Sequence, residues 1–139
     1  MPESYQGGCA CGEIRYECSA EPFIVIHCHC RDCQRTSGAQ MGTTAFIPRP
    51  SFRLLRGTPR SCEFTADSGN ILVRQFCGTC GSQLFFDPRA FPDFWGVKAT
   101  SLDDASWLQP GVHIWTKSAQ PWAKFDDGLP RHPGALPSP

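Results

Sequence analysis

The chain has 139 residues, and its 13 Lys and Arg balance 13 Asp and Glu, so the formal net charge is zero. Without an excess of basic residues, no electrostatic affinity for nucleic acid or an anionic membrane is expected. No apolar run approaches the roughly 18 residues that span a bilayer, and no signal-peptide pattern is visible, so we expect a cytoplasmic protein with no membrane partner.

Short apolar runs rich in β-branched and aromatic residues recur along the chain and predict β-strands. Pro, Gly and Asn bound most of these runs, as expected of tight turns between short strands. The predicted strands are residues 13–17, 23–27, 42–47, 52–55, 62–65, 71–76, 83–86, 94–99 and 112–116. The pattern is typical of a mainly β domain with antiparallel strands.

Two short segments have helical patterns, residues 31–37 and 102–107, and Asp103 and Asp104 suit the first turn of the second one. The proline-rich segment at residues 128–139 is expected to be extended and partly mobile. We therefore predict a single domain, since no linker long enough to divide the chain is visible.

Four of the nine cysteines predict a closed metal site and are called the four-cysteine cluster: Cys9, Cys11, Cys77 and Cys80. The first two form a CxC pair, whose side chains share one face of an extended segment. The second two form a CxxC pair with adjacent glycines, as in metal knuckles. Four thiolates are the complete ligand set of a structural zinc ion, which would tie the N-terminal region to a distant hairpin.

Three more cysteines lie in the segment HCHCRDC at residues 27–33 and are called the three-cysteine cluster: Cys28, Cys30 and Cys33. The first two share a face of a strand, and the third can turn toward them from the first helical turn. The same geometry places His27 and His29 on the opposite face. Three ligands leave a zinc ion one position for water or substrate, as in catalytic sites.

A zinc ion held by three thiolates suits a thiol substrate better than a hydrolytic water, because coordination deprotonates a thiol. A further thiolate would add negative charge, which Arg31, Arg35 or Arg74 could offset. The same arginines could bind carboxylates of the substrate. Arg31 and Arg35 are therefore the predicted binding residues for a thiol cosubstrate.

Other interpretations of the cysteines stay open at this point. The four-cysteine cluster could instead form redox or disulfide pairs, or hold an iron–sulfur cluster. The three-cysteine cluster could be a second closed structural site with a histidine as fourth ligand; the candidates are His27, His29 and His113. Cys18 and Cys62 have no neighbour at ligand spacing and are predicted to be small buried apolar residues.

Together these motifs resemble the family of glutathione-dependent formaldehyde-activating enzymes, whose domain also occurs in centromere protein V. The resemblance is carried by GGCACGEIRY (residues 7–16), HCHCRDCQRTSGA (27–39) and FCGTCGSQLFF (76–86), and later by WGVKATSLDD, HIWTKSAQPW and DGLPR. It implies an Mss4-like β fold, with one structural zinc ion on the four-cysteine cluster and a second zinc ion on the three-cysteine cluster. It also implies that glutathione and formaldehyde combine at the second ion as S-hydroxymethylglutathione. The resemblance covers about residues 5–131 and so implies one zinc-binding domain there, followed by an extended tail at residues 132–139.

The leading hypothesis is a zinc-dependent carbon–sulfur lyase, in which Cys28, Cys30 and Cys33 carry the catalytic ion. Its partners would be an aldehyde and a small-molecule thiol, either glutathione or another thiol. The rival hypothesis is a noncatalytic zinc module that binds a protein or nucleic acid, and the net charge of zero weighs against nucleic acid. The sequence identifies no general base and leaves the oligomeric state open.

Overall fold

The computed structural model describes residues 3–136, which form ten β-strands and one α-helix. The elements are β1 (Tyr5–Gly8), β2 (Arg15–Cys18), β3 (Ile24–Cys28), α1 (Arg31–Ser37), β4 (Gly42–Pro48), β5 (Phe52–Arg56), β6 (Arg60–Thr65), β7 (Ile71–Phe76), β8 (Gln83–Pro88), β9 (Phe94–Lys98) and β10 (Val112–Ile114). The prediction of a mainly β fold is confirmed, and each predicted strand overlaps an observed one. No helix in this part of the chain has the length and apolar character needed to cross a membrane.

The strands form two sheets, and the main hydrophobic core lies between them. The small sheet has the order β1-β2-β5, and the large sheet has the order β10-β3-β4-β9-β8-β7-β6. Tyr16 of the small sheet is fully buried against this core, which also takes Ile47, Leu84 and Val97 from the large sheet. Because side chains alternate along a strand, the same strands direct their other side chains to the far face of the large sheet.

That far face carries the functional cavity described below. Register places Ile26, Thr44 and Lys98 side by side on β3, β4 and β9. The next row along the strands passes from Phe46 through Gly96 to Phe86. One face of the large sheet therefore supports the core, and the other presents a mixed apolar and charged surface.

The prediction of a second helix at residues 102–107 is wrong, because the segment is irregular. Leu102 forms an isolated bridge with β1, and the carboxylate of Asp103 pairs with an arginine of β2. The side chain of Asp104 accepts a hydrogen bond from the Ser106 N–H at 2.9 Å. A six-residue segment gains few helical hydrogen bonds against the cost of nucleation, and its Asp side chains compete for the backbone.

The prediction of antiparallel pairing fails at one place: β10 runs parallel to β3, with His113 beside His27. A short alternating run does not specify the direction of its partner, which depends on the connection between the strands. The segment after residue 129 lies along β10, where Arg131 forms a parallel bridge and the Trp115 N–H donates to the Gly134 carbonyl at 2.9 Å. Residues 137–139 of the predicted tail lie outside the described residues.

Candidate metal and active sites

Two loops bring the four-cysteine cluster together: β1–β2 carries Cys9 and Cys11, and β7–β8 carries Cys77 and Cys80. Their four sulfur atoms all lie within 4.8 Å of one another. The Sγ atoms of Cys9 and Cys11 are 3.6 Å apart, and those of Cys11 and Cys77 are 3.8 Å apart. A tetrahedron with zinc–sulfur bonds of about 2.3 Å has edges of about 3.8 Å, so these thiols fit a zinc ion.

Backbone and hydroxyl donors surround these sulfur atoms. The Ile14 N–H donates to Cys9 Sγ at 3.2 Å, and the Cys80 N–H donates to Cys77 Sγ at 3.5 Å. The Ser82 hydroxyl lies 3.2 Å from Cys80 Sγ and, with backbone donors, lowers the pKa of that thiol to about 5. Donors of this kind stabilise thiolates, the form that binds metal.

The three-cysteine cluster forms where β3 passes into α1. Cys28 is the last residue of β3, Cys30 caps the N-terminus of α1, and Cys33 lies in its first turn. The three sulfur atoms lie within 4.8 Å of one another, and the Cys33 N–H donates to Cys30 Sγ at 3.3 Å. A buried Gln34 side chain anchors α1 by donating to the His29 carbonyl at 2.7 Å.

Without a cation these three thiols cannot all ionise. Hydrogen bonds from the thiols of Cys28 and Cys33 lower the pKa of Cys30 to about 2. The pKa of Cys28 changes in the opposite direction, because the hydrogen bond that its thiol donates to Cys30 raises it far above the ordinary range. One thiolate held by two thiols is the arrangement expected when three ligands converge on one point, so the cluster fits a divalent soft-ligand metal such as zinc.

A cavity of about 370 Å³ opens beside the three-cysteine cluster on the far face of the large sheet. At the cysteine end, the paired residues Thr44 of β4 and Lys98 of β9 also line the cavity. The remaining wall is mainly apolar and aromatic; it includes Ile26, Phe46, Phe64, Leu72, Phe86, Phe91, Ile114, Trp115 and Leu136. The size suits a small molecule, and the sulfur atoms form one end of the binding space.

The charged side chains that line this cavity are Asp32, Arg74 and Lys98. Lys98 was not singled out in the sequence, yet its Nζ lies 3.1 Å from the point that a Cβ on Gly42 would occupy, and Cys33 Sγ lies 3.6 Å from the same point. A side chain at position 42 would crowd both groups. The ammonium of Lys98 therefore lies close to the sulfur atoms, where it offsets thiolate charge.

Arg31 and Arg35 occupy the exposed side of α1 and are not among the residues that line the cavity. The guanidinium of Arg31 donates to the side-chain oxygen of Gln34. Their role in binding a thiol stays a prediction. Arg74, the third arginine considered, does line the cavity, because its side chain on β7 lies on the same face of the large sheet.

The histidines considered as a fourth ligand form a separate cluster. His29 Nε2 and His113 Nδ1 are 2.8 Å apart, and His27 Nδ1 is 2.8 Å from the Thr43 hydroxyl. The rings of His27 and His113 stack with centroids 4.8 Å apart. Within residues 3–136, the group of ligand atoms around the three-cysteine cluster contains its three thiols alone, which is the composition of an open site.

Asp127 fixes this histidine cluster to the C-terminal segment. One carboxylate oxygen accepts from His113 Nε2 at 2.7 Å, and the other accepts from the Leu129 N–H at 3.1 Å. The hydrogen bond from His113 holds the pKa of Asp127 below its ordinary value. The stabilisation is therefore complete above the unfolded-state pKa and is lost as the pH falls through the folded-state pKa.

Asp127→Asn is expected to lower the melting temperature by several degrees, because an amide replaces a charge-assisted acceptor in both contacts. Thermal unfolding followed by circular dichroism at neutral pH measures the effect. Asp126→Asn is the matched control, since the Asp126 side chain is 97% exposed and should change the melting temperature little. Equal melting temperatures for the two variants would show that the Asp127 contacts do not stabilise the packing of the C-terminal segment against His113.

Sequence reasoning found both cysteine clusters but missed the walls of the cavity. The strands β4, β6 and β8 contribute Phe46, Phe64 and Phe86, but only the register of the sheet shows that these rings share a cavity with the cysteines. Cys62 corrects another expectation: Cys18 is buried as predicted, whereas Cys62 lies exposed on the edge strand β6. Side chains on an edge strand can be exposed to solvent even where an apolar sequence pattern predicts that they are buried.

Comparisons with known proteins give a matching family and a similar fold. Residues 4–118 match the family model described as "Glutathione-dependent formaldehyde-activating enzyme". A crystal structure of a Rhodobacter sphaeroides protein, solved as a structural genomics target, is similar with a TM-score of 0.56 and 19% sequence identity. The similarity covers 91% of this chain and 98% of that chain. At this identity the match shows a shared fold alone.

Proposed function

The chain belongs to the family of glutathione-dependent formaldehyde-activating enzymes, and from that membership we propose a zinc-dependent carbon–sulfur lyase that resembles S-(hydroxymethyl)glutathione synthase. The observation that carries the proposal is a three-thiol cluster, without a histidine ligand, at one end of a small-molecule cavity. In the synthetic direction the sulfur of a thiol bonds to the aldehyde carbon, the C=O π bond breaks, and the thiol proton ends on the new hydroxyl oxygen. The reverse reaction releases thiol and aldehyde.

Cys28, Cys30 and Cys33 would hold the catalytic zinc, and the four-cysteine cluster would hold a structural zinc. Zinc bound there would supply a fixed position for sulfur and a larger thiolate fraction near neutral pH. The chain itself fixes the geometry: the end of β3 and the first turn of α1 set the directions of the three thiols, and Gln34 anchors that turn. The reacting sulfur and carbon are thereby held together within the cavity.

Lys98 supports this chemistry electrostatically. Its ammonium, close to Cys33, offsets the negative charge of the cysteine thiolates and of an incoming thiolate. The same charge stabilises an aldehyde oxygen that becomes negative as the carbon–sulfur bond forms. A cavity of about 370 Å³ beside the three-cysteine cluster favours this small-molecule role over the rival of a protein-binding zinc module.

Lys98→Met is expected to lower kcat/KM for adduct formation by about tenfold, because it removes a positive charge next to the sulfur site while keeping the chain length. Steady-state rates at several thiol concentrations measure the loss. Lys124→Met is the control, since Lys124 is exposed and does not line the cavity. If both variants keep wild-type kinetics, Lys98 has no electrostatic role in the reaction.

NMR exchange spectroscopy of an equilibrated glutathione–formaldehyde mixture tests the proposed reaction. The adduct also forms without a catalyst, so rates with zinc-loaded protein are compared with buffer at the same pH and thiol concentration. The proposal predicts faster exchange between free thiol and adduct, in proportion to the protein concentration. Exchange that stays at the buffer rate for glutathione and also for other thiols would exclude the lyase reaction.

A further inference from the structure

The residues that line the cavity indicate which class of thiol it can bind, which family membership alone does not specify. Away from the cysteines, the space is bounded largely by Phe46, Phe64, Phe86, Phe91, Ile114 and Trp115. Formaldehyde contributes only one carbon to an adduct. Most of the roughly 370 Å³ is therefore available to the substituent of the thiol.

The sheet is built to present aromatic rings to this space. The ring of Phe86 lies directly over Gly96, since a Cβ at that glycine would be 2.3 Å from the Phe86 Cζ atom. The rings of Phe46 and Phe86 meet edge to face, with centroids 6.0 Å apart. Gly96 therefore lets the Phe86 ring form the floor of the cavity, and aromatic substrates pack well on such a surface.

Charged groups are few along the same walls. Glutathione carries two carboxylates and an ammonium group at neutral pH, and each needs a partner when it leaves water. Lys98 lies by the cysteine sulfur atoms and is engaged there, while Asp32 is the only acidic residue among those that line the cavity. Arg74 remains for a carboxylate, and its guanidinium lies 4.1 Å from the centre of the Phe64 ring.

From these walls we infer that the preferred thiol carries an aromatic or branched aliphatic group, with at most one carboxylate, in place of the glutathione tripeptide. The sulfur occupies the cysteine end, the apolar group packs against the phenylalanines, and a single carboxylate pairs with Arg74. The inference rests on the lyase reaction proposed above and names the substrate class for the same site. The carbon–sulfur bond forms as before, with the thiol proton transferred to the aldehyde oxygen.

The test compares two thiols, 4-(mercaptomethyl)benzoate and glutathione, each with formaldehyde and zinc-loaded full-length protein. Rates from NMR exchange spectroscopy are divided by the buffer rate at matched thiolate concentration. Burial of the aromatic ring predicts an acceleration for the benzoate thiol about tenfold or more above that for glutathione. Phe64→Ser should lower the acceleration for the benzoate thiol by more than that for glutathione and so remove this preference.

Phe23→Ser is the matched control, because Phe23 is 72% exposed and lies outside this cavity. It should keep the wild-type preference for the benzoate thiol. If Phe64→Ser and Phe23→Ser have equal melting temperatures, the changed preference of Phe64→Ser is an effect on binding and not on folding. A glutathione rate equal to or above that of the benzoate thiol would overturn the inference and leave the lyase reaction standing. No acceleration with either thiol would overturn both.

Discussion

Cys77→Ser is expected to unfold most of the domain and to release one zinc ion per chain. Cys77 is fully buried, its N–H donates to the Ser82 carbonyl at 3.0 Å, and its sulfur faces the CxC pair from the other loop. Structural zinc contributes about 10 kcal/mol or more in small zinc domains, whereas a whole domain is stable by about 5–15 kcal/mol. Losing the ion therefore removes most of the net stability.

Thermal unfolding and metal analysis of the purified variant measure this effect. Cys62→Ser is the control, because Cys62 is exposed on β6 and belongs to neither cysteine cluster. It should keep the wild-type zinc content and melting temperature. A Cys77→Ser protein with wild-type stability would show that the four-cysteine cluster does not hold a structural ion.

Cys30→Ser is expected to give the opposite combination, a folded protein with little activity. Serine is a favoured helix N-cap, so its hydroxyl can accept from the Cys33 N–H in place of the sulfur. The open site would lose a soft ligand and with it the proposed second zinc ion. Loss of several kcal/mol of transition-state stabilisation lowers the rate by about a hundredfold or more.

This variant separates a catalytic centre from a second structural one. Activity, zinc content and melting temperature are measured together, against the wild-type protein and the Cys62→Ser control. The account requires a large loss of activity with a small change in melting temperature. If Cys30→Ser unfolds as extensively as Cys77→Ser, the three-cysteine cluster is structural and the lyase proposal fails.

The sequence predicted the grouping of the cysteines better than the cavity, for a physical reason. Ligand spacing is local: a CxC pair in an extended segment and a CxxC pair in a turn converge on a point whatever the rest of the fold does. The three-cysteine cluster is also local, since residues 28–33 span the end of one strand and one helical turn. These groupings could be predicted before the topology was known.

The cavity depends on long-range pairing, which a single sequence does not specify. Lys98 lies near Cys33 only because β9 pairs with β4, and β4 pairs with β3. The aromatic walls likewise combine Phe46 of β4, Phe64 of β6 and Phe86 of β8 with Trp115, which follows β10. The failed helix at residues 102–107 has the same origin, because tertiary contacts of Leu102 and Asp103 outweigh a weak local preference.

Cadmium-113 NMR of protein reconstituted with ¹¹³Cd²⁺ tests most directly whether one closed and one open thiolate site exist, because the shift of this nucleus reports how many sulfur atoms bind it. The account predicts two resonances, one in the four-thiolate range and one in the three-thiolate range. Adding a thiol substrate should move only the second resonance toward the four-thiolate range. Two resonances in the four-thiolate range, with chemical shifts that do not change when thiol is added, would contradict an open site at Cys28, Cys30 and Cys33.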